Sequence, residues 1–161
     1  MQKILINRSY GGFKLSEVAL IEYLDKKNIK FECFEYQYDY RTQDMIYKWC
    51  SRESVLHGDV GDVAIFDSKD LDTVRWGKDN EYSFPENFTD YSNLAYEIDR
   101  DDPVMISVVE KLGKKANAVF PPAHIVVIEI PDDVEWIIEG YDGLEWVAEK
   151  HRHWPERRTH F

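Results

Sequence analysis

Residues 124–154, HIVVIEIPDDVEWIIEGYDGLEWVAEKHRHW, restrict what this chain can fold into more than any other stretch. Ile125 to Ile130 is rich in β-branched side chains, whose stiff χ1 suits a pleated strand. Pro131-Asp132-Asp133 breaks that strand, because proline removes a ladder donor and Asp favours turns. Val134 to Glu139 starts a second strand. Tyr141-Asp142-Gly143 is a turn, with Asp-Gly the pair that suits a hairpin. Glu145 to Lys150 returns as the partner strand. A pivot at Asp142-Gly143 puts Trp136 and Trp146 near mirror positions, where a cross-strand aromatic pair contributes roughly 0.2–1 kcal/mol. The tryptophans are therefore read as packing rather than as ligand platforms. Leu144 to His151 also fits a helix, with Glu145 and Glu149 at i, i+4 and Leu144 beside Ala148. The strand is the preferred reading.

The helical signals lie upstream. Ser16 is a suitable N-cap for EVALIEYLDKKN, which Asn28 closes; Val18, Leu20, Ile21 and Leu24 give it an apolar stripe. RDDPVMISVVEKLGKKAN, residues 100–117, has Asp102 as N-cap, Pro103 at the first helical position and Gly113 as the stop. Asn117, just past that stop, reads as a left-handed residue. A further helix is predicted over 41–57, where Met45, Ile46, Trp49 and Cys50 fall at helical spacing. Strands are predicted at 3–7, 30–38, 59–67 and 94–99. Residues 68–92 are polar, with Gly77, Asn80, Pro85 and Asn87, and read as a long irregular loop or insertion. The expected fold class is α+β. It has a mostly antiparallel sheet of about five strands, two or three helices packed on one face, and a C-terminal β-hairpin.

The 161 residues suit a single domain, 1–161, long enough to bury a core without staples. Cys33 and Cys50 are too few for a disulfide framework and read as buried thiols. MQKILINRSYGGF lacks the apolar core of a secretory signal, and no apolar run approaches bilayer length. The cytoplasm, with reduced thiols, is the expected location.

The net charge of −11 argues against bulk nucleic-acid binding and against attraction to an anionic membrane. The charge is uneven. Residues 150–161, KHRHWPERRTHF, hold Lys150, Arg152, Arg157 and Arg158 against Glu156 alone. The other 149 residues carry 16 basic and 30 acidic side chains, about −14. The basic tail either folds back on the acidic body, the preferred reading, or supplies an anion contact.

GGFKLSEVAL, RDDPVMISVVEKLGKKAN and IVVIEIPDDVEWIIEGYDGLEWVAEKHRHW together resemble a family of short, mostly phage-encoded proteins of unassigned activity. They cover between a third and two-fifths of the chain, and the last block is the most specific. The chain departs from the family at Gly140, where an acidic residue is usual, and at Ala118, where glycine is usual. The resemblance implies a phage origin, hence a host cytoplasm, and a shared fold. It transfers no catalytic residues.

The N-terminal stretch NRSYGGFKLSE is the best anion-site candidate. Gly11 and Gly12 let backbone approach a ligand, and the helix beyond offers free N–H groups. Arg8, with Lys14, can pair with a phosphate, while Tyr10 or Phe13 can stack on a base. A tight turn that needs glycine explains the same residues. Arg152 is a second phosphate or carboxylate fork. His151 and His153 share one side of an extended segment and are weak metal candidates, without a recognised ligand spacing. Glu135, Glu139, Asp142, Glu145 and Glu149 cluster on the hairpin, where a solvated face is the expectation. No catalytic residue and no cofactor are assigned.

Three functional readings follow. The first is a phage-type anti-defence protein that sequesters a small nucleotide-derived signal without turnover. The second is an acidic inhibitor that docks on a basic host protein such as a nuclease or polymerase. The third is a small metal- or nucleotide-dependent hydrolase using the hairpin carboxylates. A homo-oligomer is compatible with all three.

Overall fold

In the computed structural model, residues 1–67, 73–76 and 89–151 are described. Chain order is β1 (Gln2–Asn7), α1 (Glu17–Lys26), β2 (Glu32–Asp39), β3 (Asp44–Cys50), α2 (Arg52–His57), β4 (Val63–Phe66) and β5 (Thr73–Trp76). It continues with α3 (Pro103–Leu112), β6 (Ile125–Ile130), β7 (Trp136–Tyr141) and β8 (Leu144–Glu149). Short 3-10 turns occupy Leu94–Tyr96 and Gly113–Ala116. The class is α+β, with antiparallel pairing throughout the described strands and a C-terminal hairpin.

Local chemistry sets the helix ends. The Ala19 amide donates to Ser16 Oγ, and Asn28 takes a positive φ just past the end of α1. The Met105 amide donates to the Asp102 carboxylate, Pro103 occupies the first turn of α3, and Gly113 ends it at a positive φ. The hairpin turns at Asp142 (φ 50°) and Gly143 (φ 87°), the pair of positive φ values a type I′ turn requires.

The strands divide into a four-stranded sheet, ordered β4-β2-β3-β5, and two pairs, β1-β6 and β7-β8. One face of β2 and β4 places Cys33, Val63 and Ile65 against α1, in a core completed by Leu5, Leu24, Met105 and Val108. The opposite face carries a smaller cluster of Phe34, Ala64 and Phe66, flanked by Tyr36, Tyr47 and Trp49.

Several expectations need correction. Residues 44–50 form a strand, not a helix; β3 hydrogen-bonds to β2 on one edge and to β5 on the other. Sheet pairing on both edges outweighs the weak helical spacing there. Only 52–57 is helical, capped by Ser51. Within 68–92, predicted irregular throughout, Thr73–Trp76 is a strand and Asp90 bridges to Phe66. Residues 68–72 and 77–88 lie outside the described residues. The strand predicted at 94–99 is a 3-10 turn. Asn117 is extended (φ −82°, ψ 134°) rather than left-handed, and its Oδ1 accepts from the Ile125 amide.

Candidate functional site

Three loops meet at one end of the fold: residues 8–13 after β1, 118–124 before β6, and the hairpin tip at 142–143. A buried asparagine ties them together. Asn7 Nδ2 donates to the carbonyls of Ser9 and Gly143, each at 2.7 Å. Its Oδ1 accepts from the His124 amide and from Ser9 Oγ. The Asn7 amide donates to Glu145 Oε2 at 2.8 Å. Glu145 also receives a two-pronged contact from Arg100, at 2.8 and 2.9 Å. The same guanidinium donates to the Leu5 carbonyl and lies 3.5 Å from the centre of the Phe13 ring. With side chains 22% and 15% exposed, the Arg100–Glu145 pair is largely shielded, so its partners must all be satisfied internally.

This junction gives the sequence-predicted residues their places. Gly11 faces the Pro122 carbonyl oxygen so closely that a Cβ would sit 2.2 Å from it. Gly12 has a positive φ (84°) and open space beside it. Phe13 is buried, one face covered by Arg100. Arg8 and Tyr10 are exposed, and the Arg8 amide donates to the His124 carbonyl. Arg152 and His153 lie outside the described residues; His151 is exposed. The predicted loop thus brings Arg8 and Tyr10 to the surface, leaves Gly12 half-buried beside Gly143, and commits Gly11 and Phe13 to packing.

Two hairpin expectations change. The two-residue turn pairs Tyr141 with Leu144, so Trp136 opposes Glu149 and Trp146 opposes Glu139. The two tryptophans therefore occupy opposite faces of the ribbon and are not a pair. Trp136 Nε1 donates to Gln2 Oε1, holding the ribbon to β1. Trp146 is 42% exposed and donates to Glu139. Glu145, expected on a solvated face, is the partner of Arg100. No local signal in the sequence identifies it, because Arg100 is 45 positions away.

Beside the junction opens a hollow of about 300 Å³ that sequence reasoning missed. Its walls are Lys14 and Glu17 at the start of α1, Tyr36 on β2, Asp62 ahead of β4, and Val119 and Phe120. A second hollow of about 210 Å³ shares Lys14, Glu17 and Tyr36 with it and reaches Ser92 and Asn93. Lys14 Nζ donates to the Phe120 carbonyl at 3.0 Å. The Tyr36 hydroxyl is pushed above its ordinary value, first by burial, then by Asp62, Glu17 and Asp90. Of these carboxylates, Glu17 and Asp62 line the cleft, and Lys14 stands with them, so its walls carry two carboxylates against one ammonium. Val119 (72%) and Phe120 (83%), both exposed, form its apolar wall, and Tyr10 (69%) and Tyr141 (74%) are exposed at the neighbouring junction. Exposed apolar groups on converging loops mark a recognition surface more often than single scattered ones do.

Among the described residues, no group of three or more His, Cys, Asp or Glu is placed to hold a metal ion. No helix among them is long and apolar enough to cross a membrane. Compared with protein-family models, with curated proteins and with solved structures, the chain matches none.

Proposed function

We propose that the chain is an acidic binding protein that docks on a basic protein surface, with a partner Lys or Arg entering the cleft between Glu17, Asp62 and Phe120. The observation that carries this reading is the combination of two carboxylates with an exposed aromatic ring around one hollow. A cation there comes within reach of both carboxylates and the Phe120 side chain, beside Lys14, whose Nζ is held by the Phe120 carbonyl. Each exposed ion pair contributes about 0.2–1 kcal/mol and a cation–π contact about 0.5–1 kcal/mol. Exposed Val119 in the same wall adds apolar burial, and the net charge of −11 steers a basic partner toward the surface. In keeping with the resemblance to phage-encoded proteins, the partner class is a basic host enzyme such as a nuclease or polymerase, met in the host cytoplasm. Affinity capture from bacterial lysate across a salt series tests the reading. A basic partner should be held at low salt and released at high salt. Glu17→Gln with Asp62→Asn should weaken capture by about tenfold, and Phe120→Ala severalfold. Capture unchanged by these substitutions contradicts it.

Sequestration of a nucleotide-derived signal is the second reading. It is favoured by the exposure of Arg8 and Tyr10 beside Gly12, whose backbone has open space on its side-chain face. Native mass spectrometry after incubation with lysate nucleotides separates the two. A bound nucleotide that is lost in Arg8→Ala favours sequestration.

A further inference from the structure

Cys33 and Cys50 stand directly opposite each other on β2 and β3. Directly opposed residues of an antiparallel pair project to the same face of the sheet. The register also defines the kind of pair. The Tyr36 amide donates to the Asp62 carbonyl, away from β3. Residues an odd number away on β2, Cys33 among them, therefore point their backbone groups toward β3. Cys33 and Cys50 form a hydrogen-bonded pair, for which the Cα separation is typically about 5.5 Å. That Cα separation lies inside the range a disulfide spans, and the Cβ atoms, about 5 Å apart in such a pair, must draw together by about 1 Å for the bond to form. Both thiols are free. Cys33 is buried in the main core, while Cys50 is half-buried and packs against it. A hollow of about 210 Å³ reaches both, lined also by Phe31, Trp49, Ser51 and Arg52.

We infer that Cys33 and Cys50 are a modification site, a dithiol that a small disulfide of the glutathione class converts into a cross-strand disulfide. This inference is independent of the docking function. The Cys50 thiolate, the more accessible of the two, attacks one sulfur of the small disulfide and forms a mixed disulfide. One thiol of the reagent leaves and takes up the proton lost from Cys50. The Cys33 thiolate then attacks the Cys50 sulfur and expels the second reagent thiol, which takes up the proton from Cys33. Two cysteine thiols are oxidised and one disulfide is reduced to two thiols, so atoms and electrons balance. Burial pushes Cys33 up to about 12, with the neighbouring Cys50 adding to the rise, so ring closure is slow at neutral pH and accelerates with alkalinity.

The test equilibrates the full chain with oxidised and reduced glutathione, once folded and once unfolded in urea. Acid quenching and non-reducing peptide mapping then read the linkage. The folded chain should yield a monomer with a Cys33–Cys50 link, forming at a glutathione ratio about tenfold or more less oxidising than the unfolded chain needs. Cys50→Ser, which leaves the buried Cys33 in place, should abolish both the link and the mixed disulfide. The inference is overturned if the folded chain closes less readily than the unfolded one, or stops at a glutathione adduct on Cys50. Disulfide-linked dimers in place of the internal link also overturn it.

Discussion

Gly11 and Gly12 are adjacent and do different work, and substitution separates them. At Gly11 the constraint is space, since the Pro122 carbonyl oxygen and carbon occupy the position where a side chain would begin. At Gly12 the constraint is conformation: φ is 84°, but nothing lies within 4 Å of where a Cβ would stand. Gly11→Ala should therefore destabilise by about 2–3 kcal/mol through overpacking against backbone. Gly12→Ala should cost only about 1 kcal/mol for its left-handed backbone. Urea unfolding midpoints at constant m-value check both, and equal costs would contradict the assignment. Asn7 belongs to the same junction. Fully buried, its side chain is shared among Ser9, Gly143 and His124, so three loops depend on one amide group. Such residues are not legible in sequence. Asn7 ends a strand like many other polar residues, and only the fold brings Gly143 and His124 to it.

Among the elements, β2 and β3 concentrate the titratable groups that burial disturbs. Cys33 on β2 is raised from 9.0 to about 12, chiefly by burial. Tyr36 and Tyr47, whose rings are 5.6 Å apart, are both raised from 10.0, again chiefly by burial. Each group keeps its proton to higher pH when folded than when unfolded. Above the unfolded values the folded chain therefore binds more protons, and stability declines with rising pH. The contribution is complete below about pH 9 and is lost progressively as pH approaches about 12. Urea unfolding under reducing conditions should show midpoints level near neutrality and falling through that alkaline window. A rise there would contradict the burial of these groups. The strands themselves were unequally legible. The hairpin β7–β8 and the caps of α1 and α3 are set by residues within a few positions, so Asp142-Gly143, Ser16 and Asp102 announce them. β3 is set by neighbours on both edges, one of them in a segment read as irregular, and its local spacing of Met45, Ile46 and Trp49 pointed to a helix.

For the whole molecule, the cleft is a product of topology. The N-terminus of α1, the middle of β2, the approach to β4 and the loop before β6 contribute its walls, from positions 14 to 120. Composition foretold an acidic, aromatic protein but not which carboxylates would stand beside which ring. Sequence reasoning put its best site in the loop after β1 and expected a solvated face for the hairpin carboxylates, where Glu145 instead holds Arg100 and Glu139 holds Trp146. The central claim is that this cleft, rather than acidity in general, recognises a cation. The most direct measurement is a backbone-amide NMR titration of the full chain with a short all-arginine peptide. Saturable, salt-sensitive shifts should concentrate at Asp62, Val119 and Phe120, and disappear in Glu17→Gln with Asp62→Asn. Shifts spread along the exposed hairpin carboxylates, with the cleft amides unmoved, would contradict the account.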